Sequence, residues 1–194
     1  MFAATPLVRR LSTALPASAI ALALLGTATP AIAQLNSNIA NVTLNAVLAE
    51  QLTVSVTGGS TVNFALSPGG DADGDVPVSI TTSWTLGLLR TSVSLYGYFD
   101  TPTAALTDGS ENILAASVLG RMTSGIPITY LPFVETNLIG PAAGSLLLFT
   151  EVVALLNLND SRSDNLDLRI ALAAQPQLPA GSYTGTLHLR AQAL

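Results

Sequence analysis

A single histidine and the absence of cysteine narrow the chemistry this chain can do. A nucleophilic serine needs an imidazole base and a carboxylate to orient it, and His188 is the sole imidazole. His188 falls between Leu187 and Leu189 in an alternating run, on the side away from those leucines, and no G-x-S-x-G turn surrounds any serine. A solvent-facing strand residue is therefore expected there, not a triad base. Paired carboxylates could still act as acid and base. The candidates Asp160, Asp164 and Asp167 stand with Arg162 and Arg169 in the run NLNDSRSDNLDLR, which reads as a solvated polar loop. Asp71, Asp73 and Asp75, with Gly74 among them, alternate as calcium ligands can, but the distal glutamate of an EF-hand loop is missing. After Ser67-Pro68-Gly69-Gly70 they read as an acidic hairpin turn. No catalytic, cofactor-binding or metal-binding residue is assigned, and no cofactor is expected.

Thiolate metal sites, iron–sulfur clusters, disulfides and thiol catalysis are all excluded without cysteine. All seven basic residues are arginines, and two of them, Arg9 and Arg10, precede an apolar run centred on SAIALALL. That run is followed by Pro30 and the small-residue pattern Ala31-Ile32-Ala33, the layout of a secretory signal peptide over residues 1–33. Cleavage after Ala33 would start the mature chain at Gln34 and leave five arginines against twelve acidic residues. Such a chain cannot neutralise a phosphate backbone, so nucleic acid is not an expected partner. No later segment has the ~20 apolar residues of a membrane helix. Residues 34–194 show no composition shift or fixed repeat and are expected to form one domain, exported to the periplasm, the cell surface or the medium.

Period-two alternation runs through most of that domain. Val42, Leu44, Ala46, Leu48, Leu52, Val54 and Val56 share one parity, with a bend expected near Ala49 and Glu50 because fifteen residues are long for one strand. Val62, Phe64 and Leu66 form the next short run, before the Ser67 turn. Val76, Val78, Ile80, Thr82, Trp84 and Leu86 then share a face, with Trp84 read as a core residue. Val93, Leu95 and Phe99 point inward, which leaves Tyr96 and Tyr98 outward as a small aromatic platform or as ordinary sheet cover. Shorter strands are expected at 113–119, 126–133 and 146–150. Two longer alternations follow, Leu166 to Leu172 and Leu187 to Ala193. Gly-, Pro- and Asp-rich turns separate these runs, so the expected fold is an all-β antiparallel sandwich of roughly eight to ten strands.

The segment Leu178-Pro179-Ala180-Gly181-Ser182-Tyr183 resembles the tyrosine corner of immunoglobulin-like sandwiches, in which the ring is buried and its hydroxyl bonds back to upstream backbone. The leader, the first alternating run NVTLNAVLAEQLTVSV and the final PAGSYTGTLHLRAQAL together resemble exported bacterial β-sandwich proteins, the spore coat U-type and archaic chaperone–usher pilin subunits. The resemblance covers mainly the first and last strands. Many of those pilins carry a cysteine pair and end near an aromatic residue, whereas this chain has no cysteine and ends Ala193-Leu194. The resemblance implies an immunoglobulin-like sandwich, assembly by strand donation through sheet edges, and an export chaperone as a partner. A non-enzymatic structural or adhesive surface subunit is the expected function. The alternatives are a monomeric secreted module binding a glycan or protein, and a small outer-membrane β-barrel.

Overall fold

The computed structural model of the chain describes residues 37–194, apart from 126, 138 and 140–142. The leader, its cleavage site, Gln34 and Ile126 of the expected 126–133 strand lie outside the described residues. The chain divides into two units, Met1–Asn45 and Ala46–Leu194. In the first, residues 37–45 belong to no strand and are exposed.

The second unit is built from antiparallel strands and one 3-10 turn, Ala115–Ser117. In chain order these are β1 (Gln51–Gly58), β2 (Asp71–Asp73), β3 (Val78–Thr85), β4 (Ser92–Tyr98), β5 (Leu106–Thr107), β6 (Asn112–Ile113), β7 (Val118–Met122), β8 (Leu131–Pro132), β9 (Ser145–Val152), β10 (Asn159–Ala171) and β11 (His188–Ala193). One sheet runs β1-β3-β10-β7-β8, with β2 also paired to β10; the second runs β11-β4-β9. β5 and β6 form a small ribbon of their own. Among the described residues eleven strands exceed the expected eight to ten, because three of them are only two residues long. Neither sheet closes on itself, so the barrel alternative is not the architecture formed.

Alternation places the core where the sequence puts it. Val78, Ile80, Thr82, Trp84 and Leu86 are buried from β3 and the residue after it, facing Val93, Leu95 and Phe99 from β4. Leu166, Leu168, Ile170 and Leu172 complete the inner row of β10. The ring of Phe133 is fully buried and meets Phe99 edge-on at 5.2 Å between centroids. Two glycines on opposite sheets make room for it. A Cβ at Gly97 would lie 2.9 Å from the Phe133 ring, and one at Gly120 would lie 3.2 Å from it. The ring thus packs directly against backbone of both sheets.

Several readings need correction. Val76, expected on the inner face, is 40% exposed and precedes β3. The expected strand 113–119 is interrupted by the Ala115–Ser117 turn, and of the expected strand 126–133 only Leu131–Pro132 pairs as a strand among the described residues. Residues 42–48 alternate but form no strand; regular pairing begins at Gln51, just after the expected bend. Val62, Phe64 and Leu66 pack on the core, yet only Phe64 pairs, in an isolated bridge to Gly74. The polar run 159–165 is not a loop but the first half of β10, paired to β3 from Asn159↔Thr85 onward. Its outer side chains explain why: Ser79 bonds to Asn165 at 2.8 Å, Thr81 to Ser163 at 2.9 Å and Thr85 to Asn159 at 3.2 Å. Cross-strand hydroxyl and amide pairs hold a polar strand as apolar pairs hold others.

Phe133→Ala should lower stability by about 3–5 kcal/mol, since the cavity left between two sheets cannot collapse onto glycine backbone. Gly97→Ala should cost less, about 1–3 kcal/mol, because the ring must shift to admit the methyl group. Urea melts of both variants beside the parent would check this; a neutral Phe133→Ala would mean that the ring does not fill the space between the sheets.

Candidate functional site

A cleft of about 710 Å³ opens at one side of the two sheets of the Ala46–Leu194 unit. It lies between two edge strands, β1 of the first sheet and β11 of the second. Its floor is Val78, Val118, Leu168 and Ile170 from the first sheet, with Phe99 and Leu106. Its walls are Val56, Val62, Phe64 and Leu66 on the β1 side and Tyr183, Leu187 and Leu189 on the β11 side. Among the described residues no charged side chain lines it.

Local structure explains why the cleft opens at one end. Near Gln51 and Ala193 the edges are closed, with Leu52, Val54, Ala191 and Ala193 packed on the core. Past Val56 the β1–β3 register slips before Gly58, and the chain leaves the sheet. On the other wall the corner at 178–183 forms as the sequence suggests: the Tyr183 hydroxyl donates to the Pro179 carbonyl at 2.9 Å. Partial burial and the nearby Asp108 push the Tyr183 phenol above its ordinary range. β11 begins only at His188, so residues 179–187 reach the sheet as a rim without regular pairing; Thr184 alone bridges, to Thr107.

The residues singled out for chemistry are dispersed. His188 lies on the outer face, its Nε2 3.0 Å from Asp100 Oδ2 and its ring stacked on Tyr98 at 5.2 Å. Among the described residues no hydroxyl is hydrogen-bonded to that ring, so the pair has an orienting acid but no nucleophile. Tyr96 is half-buried opposite Arg190 and Leu147. Trp84 is in the core and donates from Nε1 to the Asn157 carbonyl at 2.8 Å.

The three carboxylates of β10 do not converge. Asp164 and Asp167 differ by an odd number of residues and so face opposite sides of the sheet. Asp160 is exposed and shares the parity of Asp164, about 13 Å away at a rise of about 3.3 Å per residue, too far for paired acid–base work. Asp164 is buried and held by both arms of Arg162, at 2.7 and 3.0 Å, with the Ser124 hydroxyl at 3.1 Å. Arg162 also reaches Glu151 of β9 at 3.0 Å and the Ser124 carbonyl at 2.7 Å, and lies over the Phe149 ring at 4.6 Å. Its guanidinium is held above its ordinary value, chiefly by the Asp164 bond. The cluster ties one sheet to the other and leaves no free acid. Sequence reasoning had Arg162 and Asp164 in a loop; the signal missed is that both share parity with Leu166, Leu168 and Ile170.

The acidic run 71–75 is also not a turn. Asp71–Asp73 is a strand, with Asp73 bound to Arg169 at 2.6 Å, while Asp75 turns away to accept from the Asn63 amide N–H and side chain, both at 2.9 Å. Among the described residues no three His, Asp or Glu side chains gather in a metal-binding group. Asp167 pairs with Arg121 at 2.7 Å, and Arg121 and Arg169 lie over the Tyr130 ring at 4.7 and 4.2 Å. Desolvation pushes the Tyr130 phenol up.

Comparison of the chain with protein families, curated proteins and solved structures finds no match.

Arg162→Met should destabilise the protein toward the lower end of about 3–5 kcal/mol, because it strands the Asp164 carboxylate in the interior while Ser124 still offers one bond. The double variant Arg162→Met, Asp164→Leu should recover much of that loss, since two apolar side chains need no partners. Chemical denaturation of both would test the pair; equal losses would show that the carboxylate is not the source of the penalty.

Acid should weaken the fold in a defined window. Arg90 holds Glu50 below its ordinary 4.5, Arg169 holds Asp73 below 3.8, and backbone N–H groups of Asn63 and Glu111 do the same for Asp75 and Asp108. Folded values below the unfolded ones mean stability that is complete above the unfolded values and lost as pH falls through the folded ones. Thermal midpoints are expected to stay level down to about pH 5 and to drop below about pH 4. A decline starting near neutral pH would point to other groups.

Proposed function

We propose that the protein is a non-enzymatic, exported structural or adhesive subunit with an immunoglobulin-like sandwich, which assembles by lending its N-terminal segment to the open cleft of another copy. One observation carries this reading: an uncharged cleft with an apolar floor, between two half-paired edge strands, coexists in the same chain with an alternating apolar segment that belongs to no strand. Ile39, Val42, Leu44, Val47 and Leu48 are 81–96% exposed. An unpaired strand pattern beside an unpaired edge is the ordinary requirement for strand addition, in which main-chain bonds supply affinity and alternate side chains fill pockets. Val42, Leu44, Ala46 and Leu48 would present four inward side chains over about 20 Å. The resemblance to spore coat U-type and archaic pilin subunits implies the same assembly.

The runner-up is a monomeric secreted binding module. The cleft volume, about 710 Å³, falls within the range of roughly 300–1,000 Å³ typical of small-ligand pockets, and Tyr96 and Tyr98 offer ring faces on the outer sheet.

Denaturing gels of the exported chain, loaded with and without boiling, separate the two. Strand exchange predicts a ladder in the unboiled sample that collapses to one band on heating, and its disappearance when residues 34–48 are deleted. A single band unaffected by boiling favours the binding module. A ladder that persists in the deletion variant would overturn strand donation.

A further inference from the structure

We propose that two leucine-tipped turns at the pole opposite the cleft form a second contact between successive copies, seated against the uncharged rim of the neighbour's cleft. This rests on the strand-donation reading and adds a surface to it.

The turns are alike. Residues 87–90 close through Arg90 N–H to the Gly87 carbonyl at 3.2 Å, and residues 154–157 through Asn157 N–H to the Ala154 carbonyl at 3.1 Å. Each carries Leu-Leu at its two central positions, where glycine, proline, asparagine, aspartate or serine is usual. Leu88 and Leu89 are 72% and 94% exposed, and Leu155 and Leu156 are 78% and 101% exposed. The first turn joins β3 to β4 and the second joins β9 to β10, so both cross between the sheets at the same pole. Leu86 N–H to the Leu158 carbonyl and Val153 N–H to the Thr91 carbonyl fasten them side by side, at 2.8 and 2.9 Å.

Neither turn is loose. The Asn157 side chain accepts from Ala154 N–H at 2.6 Å and donates to the Val152 carbonyl at 2.9 Å, and the Asn157 carbonyl receives the Trp84 indole. Glu50 accepts from Gly87 N–H at 2.6 Å and pairs with Arg90 at 2.9 Å. The leucines are thus held outward by structure beneath them, forming an apolar tip whose adjoining Glu50–Arg90 charges cancel.

Two facts point to a second copy as the occupant. Glu50, which grips the first turn, is the last residue before β1, so the N-terminal segment departs from beside the leucines. A copy that received residues 42–48 would be joined by only Ala49 and Glu50, and would necessarily face this tip. The rim it would present, residues 59–61 and 181–186, contains no charged side chain, which suits an uncharged tip. The contact joins one pole to the other, so it is head-to-tail and can propagate from copy to copy.

The test uses the full exported chain, which has no native cysteine. Leu44→Cys with Leu187→Cys reports strand seating through a disulfide between copies. In that background, Leu88→Ser, Leu89→Ser, Leu155→Ser and Leu156→Ser together should leave the disulfide ladder and the urea midpoint in place. With the disulfides reduced, sedimentation should show about a tenfold rise in the concentration needed for polymers. Leu155→Lys with Leu156→Lys should act alike and guards against a special effect of serine. Disulfide formation with unchanged polymerisation would overturn the tip contact while leaving strand donation standing. Absence of any disulfide between copies in the parent pair would overturn both. Flotation of the parent with phosphatidylethanolamine vesicles, lost in the serine variant, would assign the tip to lipid and overturn the inference.

Discussion

One aromatic ring sets the spacing on which the two sheets depend. Phe133 reaches the interior from the segment after β8 and lies against glycine backbone in β4 and β7, one strand from each sheet. Sheets in a sandwich stand about 10 Å apart because side chains from both inner faces interdigitate. Here two positions give up their side chains altogether so that a third element can supply one large side chain in their place. Leu146, Leu148 and Leu166 then pack in the same layer, fully buried. The inner faces of β3, β4 and β10 meet only because that ring and those glycines agree in size.

From this centre the molecule becomes different toward its two poles. At one, the interior ends in polar ties: Arg162 and Asp164 continue the inner row of β10 and engage Glu151 of the opposite sheet, and Trp84 bonds across to the β9–β10 turn. A buried ion pair contributes little net stability, but Arg162, gripped by Asp164 on its own strand, reaches Glu151 of the other sheet and so fixes how the two meet. At the other pole no such tie exists among the described residues. β1 slips register and leaves, β11 starts late, and apolar side chains from β3, β7 and β10 border an open cleft.

That asymmetry is what the proposed head-to-tail assembly would require. An isolated sandwich gains by burying its apolar floor, and edge strands ordinarily carry charges or bulges that discourage pairing. This chain has no lysine, and four of the five arginines among the described residues are engaged by carboxylates within their own fold. Little charge is left to guard the β1 and β11 edges.

Much of this was legible in the residues. The inward faces of β3, β4, β10 and β11 follow from parity alone, as does the core position of Trp84, because a strand's side chains alternate whatever its partners are. The Tyr183 bond to Pro179 follows from local chain geometry across four residues. What parity could not determine is which alternating runs find a partner: residues 42–48 alternate, Val47 excepted, yet form no strand. Pairing is decided by non-local hydrogen bonds and available edges, which no local pattern encodes. For the same reason the polar run 159–165 could not be told from a loop, since its strand character depends on Ser79, Thr81 and Thr85, more than seventy residues away. The sequence by itself therefore determined which side of each run is apolar. Only the tertiary structure decided which runs are joined, where the sheets part, and that Leu88, Leu89, Leu155 and Leu156 gather at one pole.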